Sequence, residues 1–278
     1  MQSPCIFGIV NITEDSFSDG GRYLDPTAAV THARTLAASG ADVIDLGAAA
    51  SNVDAKRVSP AEEVRRLDPV ISALAGTGVL ISVDSFTPEA QRFAIEQDVA
   101  FLNDILGFPD VSVYPELAAA DCRLVVMHAV QARGPAQRVE LSADQAWDRI
   151  ACFFSQRLAA LERGGIARER LILDPGMGFF LSTRPEASLR VLACLGQLKH
   201  EFGLPVLVSV SRKSFLRVLT GRSAASETGA ATLAAELYAV AAGANFIRTH
   251  DPAALRDGLK VISALRAAES DLLTPLTY

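Results

Sequence analysis

The sequence repeats one short pattern along its length, an apolar run that ends in a polar residue. At residues 171–173 the run Leu-Ile-Leu leads into Asp174, and Pro175 and Gly176 then end it. An apolar run of this length between chain-breaking residues predicts a strand. Because polar residues do not alternate within it, we expect both faces to be buried, as in a parallel sheet. Asp before Pro is also a common turn starter, so it is the repetition that favours a strand end.

Helical patterns follow these runs in regular alternation. Four helix starts carry a capping residue followed by proline, at residues 25–26, 59–60, 87–88 and 251–252, which is the expected order at a helix N-terminus. Further helices are predicted over residues 114–120, 142–163 and 186–200, after the segment 211–214, and from 227 to 243. Strands are predicted over residues 7–10, 43–47, 79–83, 99–102, 124–127, 171–173, 205–210 and 246–247.

Eight strand–helix units in 278 residues predict a (β/α)₈ TIM barrel that forms a single domain over 1–278. The alternative is a doubly wound open sheet. No Gly-x-Gly-x-x-Gly follows the first predicted strand, so the sequence does not support a dinucleotide-binding fold.

Charge and cysteine usage restrict the partners and the compartment. The net charge of −6 argues against nucleic acid as a partner, and no apolar run reaches membrane-spanning length. The four cysteines are scattered, with no Cys-x-x-Cys pair, and no secretory signal is visible at the start. We therefore expect reduced thiols and a cytoplasmic protein that acts on small molecules.

In a TIM barrel the active site lies at the carboxyl ends of the strands. The residues at these ends are polar throughout, with carboxylates and amides expected at one pole and Lys, Arg and His at another. This combination predicts a site for a polar, partly anionic small molecule. The residues are Asn11, Asp45, Asp84, Asn103, His128, Asp174, Ser211, Lys213, Arg248 and His250.

Several of these residues have an equally simple structural interpretation. Asp84 or Asn103 could cap the loop that follows its strand. Asp45 lies one residue inside its strand, where a structural hydrogen-bonding role is at least as reasonable. An isolated His128 is more often a core or supporting histidine than a catalyst.

Two basic motifs also allow two interpretations. Arg248 and His250 alternate on a strand, so both side chains can reach one oxyanion group; the alternative for Arg248 is a surface ion pair with Asp251. Residues 211–214, Ser-Arg-Lys-Ser, could hold an anion at a helix N-terminus or could form only a helix cap with solvated basic residues.

With these residues in view, the chain resembles dihydropteroate synthase, the (β/α)₈ enzyme of folate biosynthesis. The motifs that carry the resemblance span the chain in the order of the family, and the first and the last two are the most specific. They are Gly-Ile-Val-Asn-Ile-Thr-Glu-Asp-Ser-Phe-Ser-Asp-Gly-Gly at 8–21, Ser-Val-Asp at 82–84, Asn-Asp-Ile at 103–105, Leu-Asp-Pro-Gly at 173–176, Ser-Arg-Lys-Ser at 211–214 and Arg-Thr-His at 248–250.

The resemblance implies a transferase that condenses a dihydropterin methyl diphosphate with p-aminobenzoate and releases pyrophosphate. It implies that Asn11, Arg248 and His250 bind the diphosphate, with Asn11 at a Mg²⁺ ion, and that the protein is a homodimer. Asp84, Asp174 and Lys213 are the implied catalytic residues. The pterin would be bound by Asp84, Asn103, Met127, Asp174 and Lys213, and the p-aminobenzoate side would be formed by Phe17, Ser51, Phe179, Phe180 and Ser211.

The sequence departs from the usual family pattern in two loops on the p-aminobenzoate side. The usual Gly-Glu-Ser-Thr-Arg-Pro is replaced by Ala-Ala-Ala-Ser-Asn-Val at 48–53, and the usual Gly-Phe-Gly-Lys by Gly-Phe-Phe-Leu at 178–181. These changes resemble the mobile, sulfonamide-insensitive (Sul-type) enzymes. An extra Phe179 or Phe180 could exclude a sulfonamide by steric clash, or both rings could only pack the loop onto the barrel.

Two other functions are compatible with a barrel that binds a pterin. One is a pterin-dependent methyltransferase with a corrinoid partner, against which Phe17 and the segment 211–214 argue. The other is a pterin-binding protein without catalytic activity.

Overall fold

The structure, a computed structural model, describes residues 3–13, 24–51, 53, 58–131 and 134–273. Phe17 and Asn52, which the sequence motifs single out, lie outside the described residues. The described strands are β1 (Cys5–Asn11), β2 (Val43–Gly47), β3 (Leu80–Asp84), β4 (Phe101–Asp104), β5 (Arg123–Met127), β6 (Leu171–Asp174), β7 (Leu207–Val208) and β8 (Phe246–Thr249). The described helices are α1 (Pro26–Ala38), α2 (Pro60–Leu74), α3 (Pro88–Glu96), α4 (Tyr114–Ala119), α5 (Ala143–Arg163), α6 (Pro185–Ala193), α7 (Leu195–Phe202), α8 (Ser214–Thr220), α9 (Gly229–Ala241) and α10 (Pro252–Leu273).

The strands form one parallel sheet that curves into the predicted barrel. Their order is β6-β5-β4-β3-β2-β1-β8-β7. A parallel bridge between Leu173 and Val206, together with a 2.9 Å hydrogen bond from Leu173 N to Pro205 O, joins β6 to the segment before β7. The two ends of the sheet therefore meet, which confirms the TIM barrel and excludes the open doubly wound alternative.

Two apolar layers stabilise the barrel. The larger layer lies between the strands and the surrounding helices, while a smaller cluster fills the barrel interior. In that cluster Phe7 packs edge-to-face against Phe101 and Phe246, with ring centroids 4.9 and 5.8 Å apart. Arg123 lies over Phe246, 5.0 Å from the ring centroid, at the amino end of β5. These side chains fill the barrel interior at the amino ends of the strands.

Helix starts follow the sequence signals closely. Ser142 and Gln145 form a reciprocal capping box before α5, with hydrogen bonds of 3.2 and 2.9 Å. Asp25 accepts a hydrogen bond from Thr27 N at 3.2 Å, and Ser59 accepts one from Glu62 N at 3.2 Å. These bonds satisfy N–H groups that the first turn of a helix leaves without partners.

Two predicted elements differ from the structure. The helix predicted over 186–200 is two helices, because Cys194 leaves the helical conformation (φ −106°, ψ 12°) between α6 and α7. The strand predicted over 205–210 is ordered as β7 over two residues only. The chain turns after it, with Lys213 N bonded to Val210 O and Arg212 in the left-handed region at φ 60°. This turn carries residues 209–213 over the mouth of the barrel.

Within the described residues, no helix has the length and apolar character needed to cross a membrane.

Candidate active site at the carboxyl ends of the strands

A cleft of about 370 Å³ opens at the carboxyl ends of the strands. We call it the outer cleft. Deeper in the barrel it joins an inner recess, because Ser51, Asp84, Phe180, Lys213 and Arg248 line both spaces. The inner recess is also lined by Asn103, Met127 and Asp174, and the outer cleft by Asn11, Phe179, Ser211 and His250.

The parallel register explains why residues distant in sequence meet here. Gly47 of β2 pairs with Asp84 of β3, and Asp84 pairs with Asn103 of β4. One strand further round, Met127 of β5 pairs with Asp174 of β6. The polar strand ends therefore stand at neighbouring positions of one rim, as the sequence predicted.

Arg248 is held between two carboxylates. Its Nε donates to Asp45 Oδ2 at 2.6 Å, and its Nη2 donates to Asp84 Oδ2 at 2.8 Å. Asp45 is fully buried and lines neither space, so the structural role considered for it is correct. Asp251 instead accepts a 3.0 Å hydrogen bond from Ala254 N at the start of α10. The surface ion pair between Arg248 and Asp251 is therefore not formed.

These contacts correct the expected separation of charges into two poles. The guanidinium lies directly against the carboxylates of Asp45 and Asp84, because side chains from β2, β3 and β8 converge across the barrel mouth. Lys213 and Arg248 line the inner recess together with Asp84 and Asp174, so groups of both signs meet in it. A ligand there meets donors and acceptors side by side.

Burial raises the pKa values of both carboxylates in the recess toward neutral pH. The pKa of Asp84 is raised to about 7, chiefly by burial, with Arg248 opposing the shift and Asp45 adding to it. Burial likewise raises the pKa of Asp174 to about 6, and a 2.8 Å hydrogen bond from Gly176 N to its Oδ1 opposes that shift. Both groups can therefore change protonation near neutral pH.

Lys213 lies on the opposite side of the recess, at the N-terminus of α8. Burial, followed by the nearby charge of Arg248, lowers its pKa to about 8, while Asp174 and Asp84 act in the other direction. Its Nζ lies 4.8 Å from the ring centroid of Phe180, a cation–π distance. The aromatic ring thus lies against the ammonium group and stabilises its charge in the recess.

Ser211 and His250 form a hydrogen-bonded pair in the outer cleft. Ser211 Oγ lies 2.9 Å from His250 Nδ1 and accepts the backbone N–H of His250 at 3.2 Å. Burial, with the positive charges of Arg212 and Arg248, lowers the pKa of His250 well below its ordinary value. A neutral ring whose Nδ1 accepts the serine hydroxyl presents Nε2–H as a donor toward a ligand.

His128 supports the site without lining it. Its Nδ1 lies 3.2 Å from Pro175 O, and burial lowers its pKa to about 4, so the ring is neutral and can donate to this carbonyl. Gly176 follows at φ 74°, where an added Cβ would lie 2.4 Å from His128 O. The interpretation of His128 as a supporting residue is correct, because it buttresses the turn after Asp174.

The two loop phenylalanines occupy different places. Phe180 is buried and packs with Ile105, Met127 and Ala136. Phe179 is only partly buried and lies in the outer cleft, where the guanidinium carbon of Arg138 is 5.9 Å from its ring centroid. Phe180 therefore builds the wall of the recess, and Phe179 narrows the outer cleft.

Sequence reasoning missed two hydroxyl groups of the site. Thr13 lines the outer cleft and Ser209 lines both spaces, and each has a buried hydroxyl with no hydrogen-bond partner within the described residues. Asn103 Oδ1 is likewise buried without a hydrogen-bond partner within the described residues. Ser209 could have been found from its spacing, because it precedes Ser211 by two residues in an extended segment. Arg138, Arg212 and Arg217 also line the outer cleft.

Comparison with known proteins agrees with this geometry. A family model described as pterin binding enzyme matches residues 7–250. The chain is 59% identical to dihydropteroate synthase type-2 of Escherichia coli over 265 residues, which cover 95% of this chain and 97% of that protein. The chain belongs to the dihydropteroate synthase family.

Further relatives and structures support the assignment to this family. Dihydropteroate synthase type-1 of Pseudomonas aeruginosa is 53% identical, with 91% of both chains covered. The Xanthomonas albilineans dihydropteroate synthase with 4-aminobenzoic acid has a TM-score of 0.85 and 37% identity, covering 95% of this chain and 93% of that one. The Yersinia pestis enzyme with a sulfonamide drug complex has a TM-score of 0.87 and 30% identity, covering 95% and 94%. The predicted family and enzyme class, a transferase, are confirmed.

Proposed function

We propose that this member of the dihydropteroate synthase family condenses a dihydropterin methyl diphosphate with p-aminobenzoate, forming dihydropteroate and pyrophosphate. The observation that carries the proposal is the inner recess, where Asp84, Asn103, Asp174 and Lys213 meet in one cavity. A related Xanthomonas albilineans enzyme, 34% identical with a TM-score of 0.80, has been solved in complex with 7,8-dihydropteroate. Both observations support the substrate class.

The polar groups of the recess match a flat heterocycle that carries donors on one edge and acceptors on another. Carboxylates accept two hydrogen bonds at once, so Asp84 and Asp174 suit the amino and ring N–H groups of a pterin. The unpaired Asn103 Oδ1 is a further acceptor. Lys213 Nζ is a donor for the acceptor edge, and Met127 provides apolar surface.

The diphosphate would lie where the recess opens into the outer cleft. Arg248 and His250 supply donors there, and Asn11 supplies an amide oxygen. No group of three or more carboxylate, imidazole or thiol side chains suited to a metal occurs in the described part of the chain. A single amide nevertheless fits Mg²⁺, which commonly takes one or two protein ligands and completes its shell with phosphate oxygens and water. Bound through Asn11 and the diphosphate, the ion would neutralise charge on the leaving group.

The reaction proceeds by departure of the diphosphate before attack of the amine. Arg248 and the neutral His250 donate hydrogen bonds to the leaving group, while Asp84 and Asp174 stabilise the positive charge that develops on the pterin methylene. The aryl amine then attacks the methylene carbon, a C–N bond replaces the C–O bond, and the amine passes its extra proton to the released pyrophosphate. All these groups are positioned before the reaction, which is how electrostatic catalysis is most effective.

We propose further that Phe179 excludes sulfonamides. Its ring is partly exposed in the outer cleft, whereas Phe180 is buried against Met127 and Ile105. Sulfonamides carry a bulkier group than the carboxylate of p-aminobenzoate, so a ring at the mouth of the cleft discriminates by clash. The relatives named type-1, type-2 and type-3 dihydropteroate synthases are between 53% and 59% identical to this chain, in agreement with this assignment.

The decisive test is rescue of a bacterial strain that lacks its own dihydropteroate synthase, with and without a sulfonamide. We expect rescue under both conditions, and pyrophosphate release by the purified enzyme with p-aminobenzoate as co-substrate. Pterin binding without rescue would instead indicate a non-catalytic protein. Methyl transfer to a corrinoid without pyrophosphate release would indicate a methyltransferase.

The sulfonamide proposal is tested by comparing two alanine variants. Phe179→Ala should lower the sulfonamide inhibition constant at least 10-fold with little change in the KM for p-aminobenzoate. Phe180→Ala should instead lower kcat and stability, since it removes the ring beneath Lys213. An unchanged inhibition constant in Phe179→Ala would refute the steric explanation.

We also propose that the protein is a cytoplasmic homodimer. Leu189 of α6, Val218 and Leu219 of α8 and Tyr238 of α9 are exposed apolar residues on neighbouring helices, and an apolar surface of this kind favours association. The separated free thiols suit a reducing compartment. Leu219→Glu should halve the mass found by sedimentation, whereas Val111→Glu, at a more exposed apolar position elsewhere, should not.

A further inference from the structure

A second cleft, of about 410 Å³, lies between helix α5 and the loops that follow β4 and β5. It shares no lining residue with the outer cleft or the inner recess. Leu106 and Pro109 form one wall, His128 and Gln131 form another, and α5 contributes the third. The reaction proposed above uses none of its side chains.

The charged groups that line this cleft are cationic. Arg149 and Arg157, two turns apart on α5, both face it, and no carboxylate occurs among its described lining residues. His128 is neutral near pH 7, because burial and, to a smaller extent, the charge of Arg149 keep its pKa at about 4. The described lining side chains therefore carry a net positive charge, which favours an anion.

Two buried polar groups in the lining residues have no partner within the described residues. Gln131 is 6% exposed, and its Oε1 makes no hydrogen bond although its Nε2 donates to Gly134 O at 3.4 Å. Arg157 donates through Nη1 to Phe108 O at 3.2 Å, yet its Nε is buried and unpaired. Buried polar groups are nearly always satisfied, so the walls of this cleft hold an unpaired acceptor and an unpaired donor, both closed off from solvent in this structure.

We propose that this second cleft binds a small organic oxyanion, a carboxylate or phosphate group carried on a planar or apolar body. Arg149 and Arg157 would hold the anionic group by charge-assisted hydrogen bonds. The body of the ligand would pack against Phe153 and Leu106. Gln131 Oε1 would accept a hydrogen bond from it once the amide, which is closed off from solvent in this structure, turns toward the cleft. The site is separate from the substrate site, so the inference does not depend on the proposed reaction.

Cys152 provides a local reporter, because it lines this cleft and is exposed while the other three cysteines are buried or partly buried. Iodoacetate and iodoacetamide alkylate the same thiol and differ chiefly in the carboxylate. The ratio of the iodoacetate rate to the iodoacetamide rate at Cys152 is measured by mass spectrometry of the full chain. A change in the thiolate population alters both rates equally and so leaves this ratio unchanged. We expect Arg149→Gln to lower the ratio roughly 3- to 10-fold, as removal of one cation from a charged cleft should do.

Matched variants make the result interpretable. Arg163→Gln removes the same charge from an exposed position of α5 outside the cleft and should leave the ratio unchanged, while Arg149→Lys should largely restore it. Inorganic phosphate or benzoate should slow alkylation of Cys152 in the unaltered protein, and the more effective anion identifies the preferred group. An equal ratio in Arg149→Gln and Arg163→Gln, or no protection by either anion, would overturn the proposal.

Discussion

Replacing Asp84 by Asn tests the electrostatic role of the inner recess with almost no change of shape. The substitution removes the carboxylate that accepts from Arg248 at 2.8 Å, while Asp45 remains 2.6 Å from the same guanidinium. The arginine therefore keeps a charged partner. Because burial raises the pKa of Asp84 to about 7, its ionised form is less favourable in the folded protein than in the unfolded chain, so we expect Asp84→Asn to leave the free energy of unfolding at neutral pH unchanged or to raise it.

The expected effect on catalysis is larger than the effect on binding. Loss of one preorganised group that meets developing charge typically lowers kcat by about 10²- to 10³-fold. Loss of one charge-assisted hydrogen bond to the bound pterin should raise its Kd only about 10-fold. Single-turnover kinetics and calorimetric titration with a pterin separate the two quantities. Equal losses in rate and affinity would refute the assignment of transition-state stabilisation to Asp84.

Asp45→Asn is the matched control, because Asp45 contacts the same arginine but lines neither space. If Asp84 acts on the reacting pterin, Asp45→Asn should reduce kcat much less.

The pH profile gives a second check on the role of Asp84. The Asp84 pKa of about 7 lies above the ordinary value, so the carboxylate is lost as pH falls through neutrality and kcat/KM should decline below pH 7. Asp84→Asn should remove or shift that acidic limb. The apparent pKa of the limb describes Asp84 together with the charged groups around it, and not Asp84 alone.

Further predictions concern the recess and its supporting turn. Lys213→Arg should move the alkaline limb of kcat/KM upward from about pH 8, since the lysine pKa is lowered to about 8 and a guanidinium does not deprotonate in this range; an unmoved limb would exclude Lys213 as its source. Gly176→Ala should lower the melting temperature more than Gly203→Ala. Both positions have positive φ, but only the added Cβ at Gly176 meets backbone, at 2.4 Å from His128 O. Equal shifts in thermal denaturation would show that this close contact relaxes.

Much of the barrel could be predicted because its signals are local. Capping residues and prolines mark the starts of helices such as α1, α2 and α5. Short apolar runs mark the strands, and the polar residue after each run marks a position at the mouth. Two predictions were wrong, the single helix over 186–200 and the strand over 205–210. The first fails because Cys194 is not helical, and the second because the chain turns at Arg212 in the left-handed region. Residue propensity gives no signal for either conformation.

The sequence by itself determined that Asp84, Asn103, Asp174 and Arg248 stand at the mouth of the barrel, because parallel strands that end in polar residues bring those ends to one rim. Only the tertiary structure decided which groups touch. Arg248 lies 203 residues from Asp45 and 164 from Asp84, and the pairing depends on how strands from opposite ends of the chain close the barrel. The separate positions of Phe179 and Phe180 were decided in the same way, since the packing of one loop against Met127 and Ile105 buries one ring and leaves the other in the cleft.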